Sequence, residues 1–217
     1  MRRHLLGVLL IGAGIGLAPP NARADINATL NQFTGANATI GVNVTESATT
    51  PGDLLFTLNL TSPTGPGAGD ITGFWANTGG TPVNVVIPNT TVAFSTYGEG
   101  AVNNLGNGVN LQGGGSPAPL DFGVRFNKPG DGSQTSVSFE LHSSAGALSP
   151  ELFDGKTFAA RIQAMSEGEG SSKLTGVGGT GVPNGNPGGS VPDSSSAATL
   201  LGFSLMGIEA LRRRFMK

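Results

Sequence analysis

Between Asp53 and Leu60 the chain alternates strictly: Leu54, Phe56, Leu58 and Leu60 fall on one face, and Leu55, Thr57 and Asn59 on the other. A repeat of two is the period of a strand and does not fit the 3.6 of a helix, so this segment is predicted to be a half-buried β-strand. The same period returns in Phe122, Val124 and Phe126 against Gly123, Arg125 and Asn127, and again in Val137, Phe139 and Leu141 against Ser138, Glu140 and His142. Pro129-Gly130-Asp131-Gly132 lies between these two runs and reads as the turn of a hairpin. Shorter candidates at 39–44, 71–76, 83–87, 91–95 and 157–165 bring the total to about eight strands, parted by Gly, Pro and Asn turns. The fold class that follows is all-β, a single antiparallel β-sandwich of jelly-roll or immunoglobulin-like form. One short helical turn is expected at Ser149-Pro150-Glu151-Leu152-Phe153, with Ser149 as N-cap, Pro150 at the first position, and Leu152 and Phe153 against the sheet end.

Two stretches lack periodicity. The segment 98–119 is rich in Gly and Asn and reads as a long surface loop. The segment 167–190 has a similar composition and reads as a flexible stalk. With no cysteine in the chain there is no disulfide framework, and the fold must rest on its hydrophobic core.

Composition also limits the chemistry. Residues 25–190 hold five basic and twelve acidic side chains, a net −7, which disfavours nucleic acid as a partner. His142 is the one histidine past the first few residues, and it sits on the polar side of its strand without a Gly-x-Ser-x-Gly elbow, so no enzyme is expected. Metal sites of the His and Cys kind are excluded by count, and no cofactor is expected. Asp53, Asp70, Asp121 and Asp131 are oxygen donors, but their spacing is not that of a calcium loop, and a plain turn is the reading for Asp131-Gly132-Ser133. Of Phe74 and Trp75 one ring is expected in the core and the other free to meet a ligand, so Trp75 and Tyr97 are candidate sugar-stacking contacts. Arg161 is expected to pair with Glu140 or another carboxylate across the sheet. Five Asn-x-Thr triplets, starting at Asn27, Asn37, Asn43, Asn59 and Asn89, read as polar strand edges.

The two ends carry addresses. Arg2, Arg3 and His4 precede an apolar run from Leu5 to Ala18, and Ala22-Arg23-Ala24 is a small-x-small cleavage site, so residues 1–24 read as a signal peptide, helical in its apolar run, removed by signal peptidase after Ala24. At the other end Val191-Pro192-Asp193-Ser194 is followed by an apolar stretch from Ala197 to Leu211 and by Arg212-Arg213-Arg214. The arginines would stay cytoplasmic and stop a transmembrane helix there. Its 15 residues cover about 22 Å of a roughly 30 Å hydrocarbon core, and Glu209 lies within them, which suits a temporary signal.

This order of motif, apolar segment and basic stop resembles the PEP-CTERM type of sorting signal, in the variant that begins Val-Pro-Asp-Ser (VPDSG-CTERM). Here Ser195 stands where that variant has Gly, and Ala197 where it has Thr. Gly69-Asp70-Ile71-Thr72-Gly73-Phe74-Trp75, Phe158-Ala159-Ala160-Arg161-Ile162-Gln163 and Ser171-Ser172-Lys173-Leu174 are similar to strings in other exosortase-sorted proteins. The resemblance implies a protein of a Gram-negative-type bacterium: an exported precursor anchored in the inner membrane, recognised by an exosortase at Val191–Ser194, and then placed at the cell surface or in the extracellular matrix. It implies a structural, exopolysaccharide-associated role; a carbohydrate-binding module and a secreted hydrolase are the alternatives. The expected organisation is a signal peptide at 1–24, a β-sandwich body at 25–166, a stalk at 167–190 and the sorting signal at 191–217.

Overall fold

The computed structural model describes residues 24–86, 91–127, 129–166 and 170–180. The signal run with Ala22, the motif Val191–Ser194, the apolar segment and Arg212–Arg214 lie outside them. No helix among the described residues is long and apolar enough to cross a membrane.

Ten strands follow one another: β1 (Ile26–Gly35), β2 (Thr39–Glu46), β3 (Leu54–Ser62), β4 (Asp70–Ala76), β5 (Asn84–Val86), β6 (Val92–Val102), β7 (Leu120–Phe126), β8 (Ser136–His142), β9 (Thr157–Gln163) and β10 (Ser171–Val177). All neighbours are antiparallel, in the order β5-β8-β3-β2-β1-β10-β9-β4-β7-β6. The edge strands β5 and β6 approach each other, so one sheet nearly closes on itself where two packed sheets were expected. The cause lies in β1 and β10. They pair with each other between β2 and β9, and so join two four-stranded halves into one sheet. Strand β10 falls inside the stretch read as a stalk, and a bridge from Asn27 to Gly179 carries the folded part past residue 166.

The alternation places the core as expected. Leu54, Phe56, Leu58 and Leu60 are buried, while Leu55 and Thr57 are half-buried. Phe56 of β3 stacks on Phe139 of β8 with centroids 4.9 Å apart, and reaches Phe74 of β4 at 5.7 Å from the opposite half of the sheet. The turn at Pro150–Phe153 is a 3₁₀ helix with Ser149 as N-cap, whose side chain makes no capping bond. It seats Phe153 edge-on against Phe56, 5.0 Å between centroids.

The hairpin expected between 122–126 and 137–141 does not form, because β7 pairs with β4 and β6 and β8 pairs with β3 and β5. The connection crosses between the two halves. It is held by Asp70, fully buried, whose carboxylate accepts the amides of Gly130 at 2.8 Å and Gln134 at 2.9 Å. Two good amide bonds to one buried carboxylate outweigh the local turn preference of the Pro-Gly-Asp-Gly segment.

Candidate functional site

Along β4 every residue is buried, so this strand is covered on both faces. Phe74 belongs to the inner core and Trp75 to a second cluster on the outer face, with Val102, Leu105, Val109, Leu111, Leu120 and Ala159. The cover is a strap formed by residues 103–116. Leu105 N–H donates to Val109 O and Leu111 N–H to Asn103 O, each at 2.9 Å, closing a tight loop over Gly106 to Gly108. The strap is thus a surface loop, as expected, but one that packs Leu105, Val109 and Leu111 onto the sheet. Its few apolar residues are spaced to face the sheet together.

Small residues make the room beneath it. Trp75 lies opposite Gly123 of β7 and Ala159 of β9, and Gly73 is two residues before it on the same strand. Trp75 is wholly buried and its Nε1 has no hydrogen-bond partner, so it presents no surface on which a sugar could stack. Tyr97 lies opposite Phe122 on β6 and packs, half-buried, against the inner core. The two rings named as candidate contacts therefore belong to different clusters and share no surface.

Three cations cross the outer face in one line. Lys173 is opposite Arg161, and Gly73 is opposite both Arg161 and Arg125. Each cation donates to a carbonyl of the strap: Arg125 Nη1 to Leu105 O at 2.7 Å, Arg161 Nη1 to Asn110 O at 3.3 Å, and Lys173 Nζ to Gln112 O. Among the described residues none of the three is ion-paired with a carboxylate. Burial pulls Arg161 and Lys173 below their ordinary values, and the Arg161 charge lowers Lys173 further. The expected Arg161–Glu140 pair is absent, since Glu140 sits on β8 in the other half of the sheet. There it accepts the hydroxyls of Ser47 at 2.7 Å and Thr49 at 2.8 Å, which hold it below the usual carboxylate range.

The acids named as oxygen donors each have a partner within the fold. Buried Asp53 meets Nδ1 of the half-exposed His142 at 2.6 Å. Asp131 turns onto Ser133, and no group of three or more metal-ligating side chains occurs among the described residues. Asp121 accepts the amides of Thr78 and Gly100, each at 2.8 Å, and so ties the loop after β4 and the irregular end of β6 to β7. Burial pushes its pKa up, but the amides of Gly100, Thr78 and Gly80 and the Thr78 hydroxyl outweigh it, and the net shift is downward from 3.8. A depressed carboxylate pKa adds stability that is present above the unfolded value and lost as pH falls through the folded one. Melting temperatures of the wild type and Asp121→Asn should therefore differ most near neutrality, and the gap should close below about pH 4. A gap that stayed constant down to pH 2 would show that the amide contacts act independently of charge.

Of the Asn-x-Thr triplets, those at Asn27, Asn43 and Asn59 lie on the three adjacent strands β1, β2 and β3. Asn43 Nδ2 donates to Asn27 Oδ1 at 3.0 Å, and Ser136 Oγ to Asn59 Oδ1 at 2.7 Å. Sequence patterning missed the line of cations because its members are distant in the chain and only the register of four strands aligns them.

The tail has a counterpart among known families. Residues 190–215 match the family model of the VPDSG-CTERM motif. The matched stretch spans Val191–Ser194 and Arg212–Arg214, and it is the variant that the tail was expected to resemble. A VPDSG-CTERM tail implies processing by an exosortase, with export and a membrane-anchored precursor. No curated protein and no solved structure matches the chain.

Proposed function

We propose that this is a non-enzymatic protein of the cell surface or extracellular matrix, delivered by exosortase sorting, whose folded sheet associates with exopolysaccharide. The observation that carries the reading is the VPDSG-CTERM match over residues 190–215. A motif, an apolar segment and a basic stop in that order let one enzyme find the chain, hold it in the bilayer and cut it outside. The folded body agrees with a structural role: its buried acids Asp53, Asp70 and Asp121 are tied to amides and one imidazole, and both clusters are packed.

Replacing Pro192 and Asp193 together with Ala should block maturation, leaving the membrane precursor in place of the processed form. Intact mass of the protein recovered from cells with and without the sorting enzyme reads this directly. Normal processing of the double variant, or a tail retained whether or not the enzyme is present, would remove the sorting role.

A further inference from the structure

Two β-bulges flank Arg125. On β4, Thr72 is the extra residue between the pairs Ile71–Ile162 and Gly73–Arg161; on β6, Ala93 is the extra residue between Val92–Phe126 and Phe94–Arg125. A bulge adds one unpaired residue, bends its strand and re-aims a side chain. Here both added residues line the same hollow, of about 360 Å³, together with Asn107, Val109, Arg125 and Gln163. That volume is at the scale of small-ligand sites.

The lining has a definite chemistry. The side-chain amides of Asn107 and Gln163 each carry a donor and an acceptor, which suit a ring bearing several hydroxyls, while Thr72 is fully buried with its hydroxyl donating to Arg161 O at 3.3 Å. Arg125 supplies the charge. Its Nη1 bond to Leu105 O fixes the guanidinium against the strap, and its Cζ stands 5.4 Å from the centroid of Phe94, which is 42% exposed. A fixed guanidinium with no carboxylate partner among the described residues, in a segment 25–190 of net −7, suits an anion that the rest of the surface repels. Phe94 lies under the guanidinium and helps to hold its orientation by a cation–π contact.

We propose that this hollow binds an acidic, hydroxyl-rich saccharide unit, a uronic acid residue of a polysaccharide, with Arg125 taking its carboxylate. The assignment rests on the exopolysaccharide reading and names the ligand class. The test is calorimetric titration of the full-length chain, purified in mild detergent, with an oligoglucuronate and with the same oligosaccharide after reduction of its carboxyl groups. Saturable binding of the oligoglucuronate is expected, at least tenfold weaker for the reduced form.

Arg125→Gln should weaken uronate binding at least tenfold. Because loss of the Leu105 contact could loosen the strap, Asn107→Asp is the second variant: it sits in the left-handed region at φ 53°, which Asp tolerates, and places a negative charge at the hollow. It too should weaken the uronate at least tenfold, and by a larger factor than it weakens the reduced form, which loses only the amide donor. No saturable binding, wild-type affinity in Asn107→Asp, or displacement of the uronate by equimolar sulfate or phosphate would overturn the assignment. Tail processing, read by intact mass, separates the two readings: normal processing without uronate binding overturns the site alone, and uronate binding with an uncut tail overturns the sorting role alone.

Discussion

Replacing Phe56 with alanine should destabilise the folded body by about 4 kcal/mol, the largest effect expected of any single truncation in the inner core. The side chain is fully buried and its ring meets those of Phe74, Phe139, Phe153 and Phe158. These partners come from both halves of the sheet and from the 3₁₀ turn, so little backbone can move in to fill the space left behind. Removing most of a phenylalanine then forfeits both the transfer free energy and the contacts around the cavity. For a body of this size, 4 kcal/mol corresponds to a fall of roughly 10 °C in melting temperature. Urea denaturation should show a lower midpoint with an unchanged slope, since the surface exposed on unfolding stays the same. Phe56→Leu should recover more than half of the loss. A loss below about 1 kcal/mol for Phe56→Ala would mean that the two halves are not joined through this ring.

The strands that could be read from the sequence were those with large apolar residues at every second position. Leu54, Phe56, Leu58 and Leu60 announce β3, and Val137, Phe139 and Leu141 announce β8, because half-burial writes itself as alternation. Strand β10 carries no such record. Ser172 and Leu174 are its buried side chains, and a buried serine is indistinguishable in sequence from a linker serine. Strand β1 does alternate, with Ile26, Ala28 and Leu30 inward, but its signal lies directly against the expected cleavage site and merges with it. Missing these two strands is what turned one sheet into an expected pair. The hairpin failed for a different reason. Its turn residues are genuine, but the bonds that position them come from Asp70, about sixty residues away in sequence, and no local pattern reports a partner at that distance.

Function divides along the same line. A sorting tail is read by an enzyme and a membrane as a linear string, so motif, apolar run and arginines are legible without folding. The hollow beside Arg125 depends on two bulges, and a bulge is a mismatch between strands that neither strand shows alone.

The strap offers the sharpest test of the outer face. An ideal Cβ on Gly123 would lie 2.7 Å from Leu105 Cδ2 and 3.0 Å from both Trp75 Cδ1 and Val102 Cγ1. Such distances leave no room for a methyl group, and the branched side chain of valine extends the clash to its γ carbons. The inner core is on the other side of β7 and cannot relieve it. The element that can move is the strap, which is held to the sheet by one small apolar cluster and the three cation-to-carbonyl bonds. Gly123→Val should therefore lift the strap while leaving the inner core folded, at a cost of about 1–3 kcal/mol. The chain has a single tryptophan, so its emission reports this event alone. Trp75 should shift to the red as its indole meets water, and limited proteolysis should cut within 103–116 before any other described segment. Gly123→Ala should give a smaller shift of the same sign. If Trp75 stays blue-shifted in Gly123→Val while the urea midpoint falls as far as in Phe56→Ala, the strap and the sheet unfold as one unit, and the outer cluster is part of the same cooperative core.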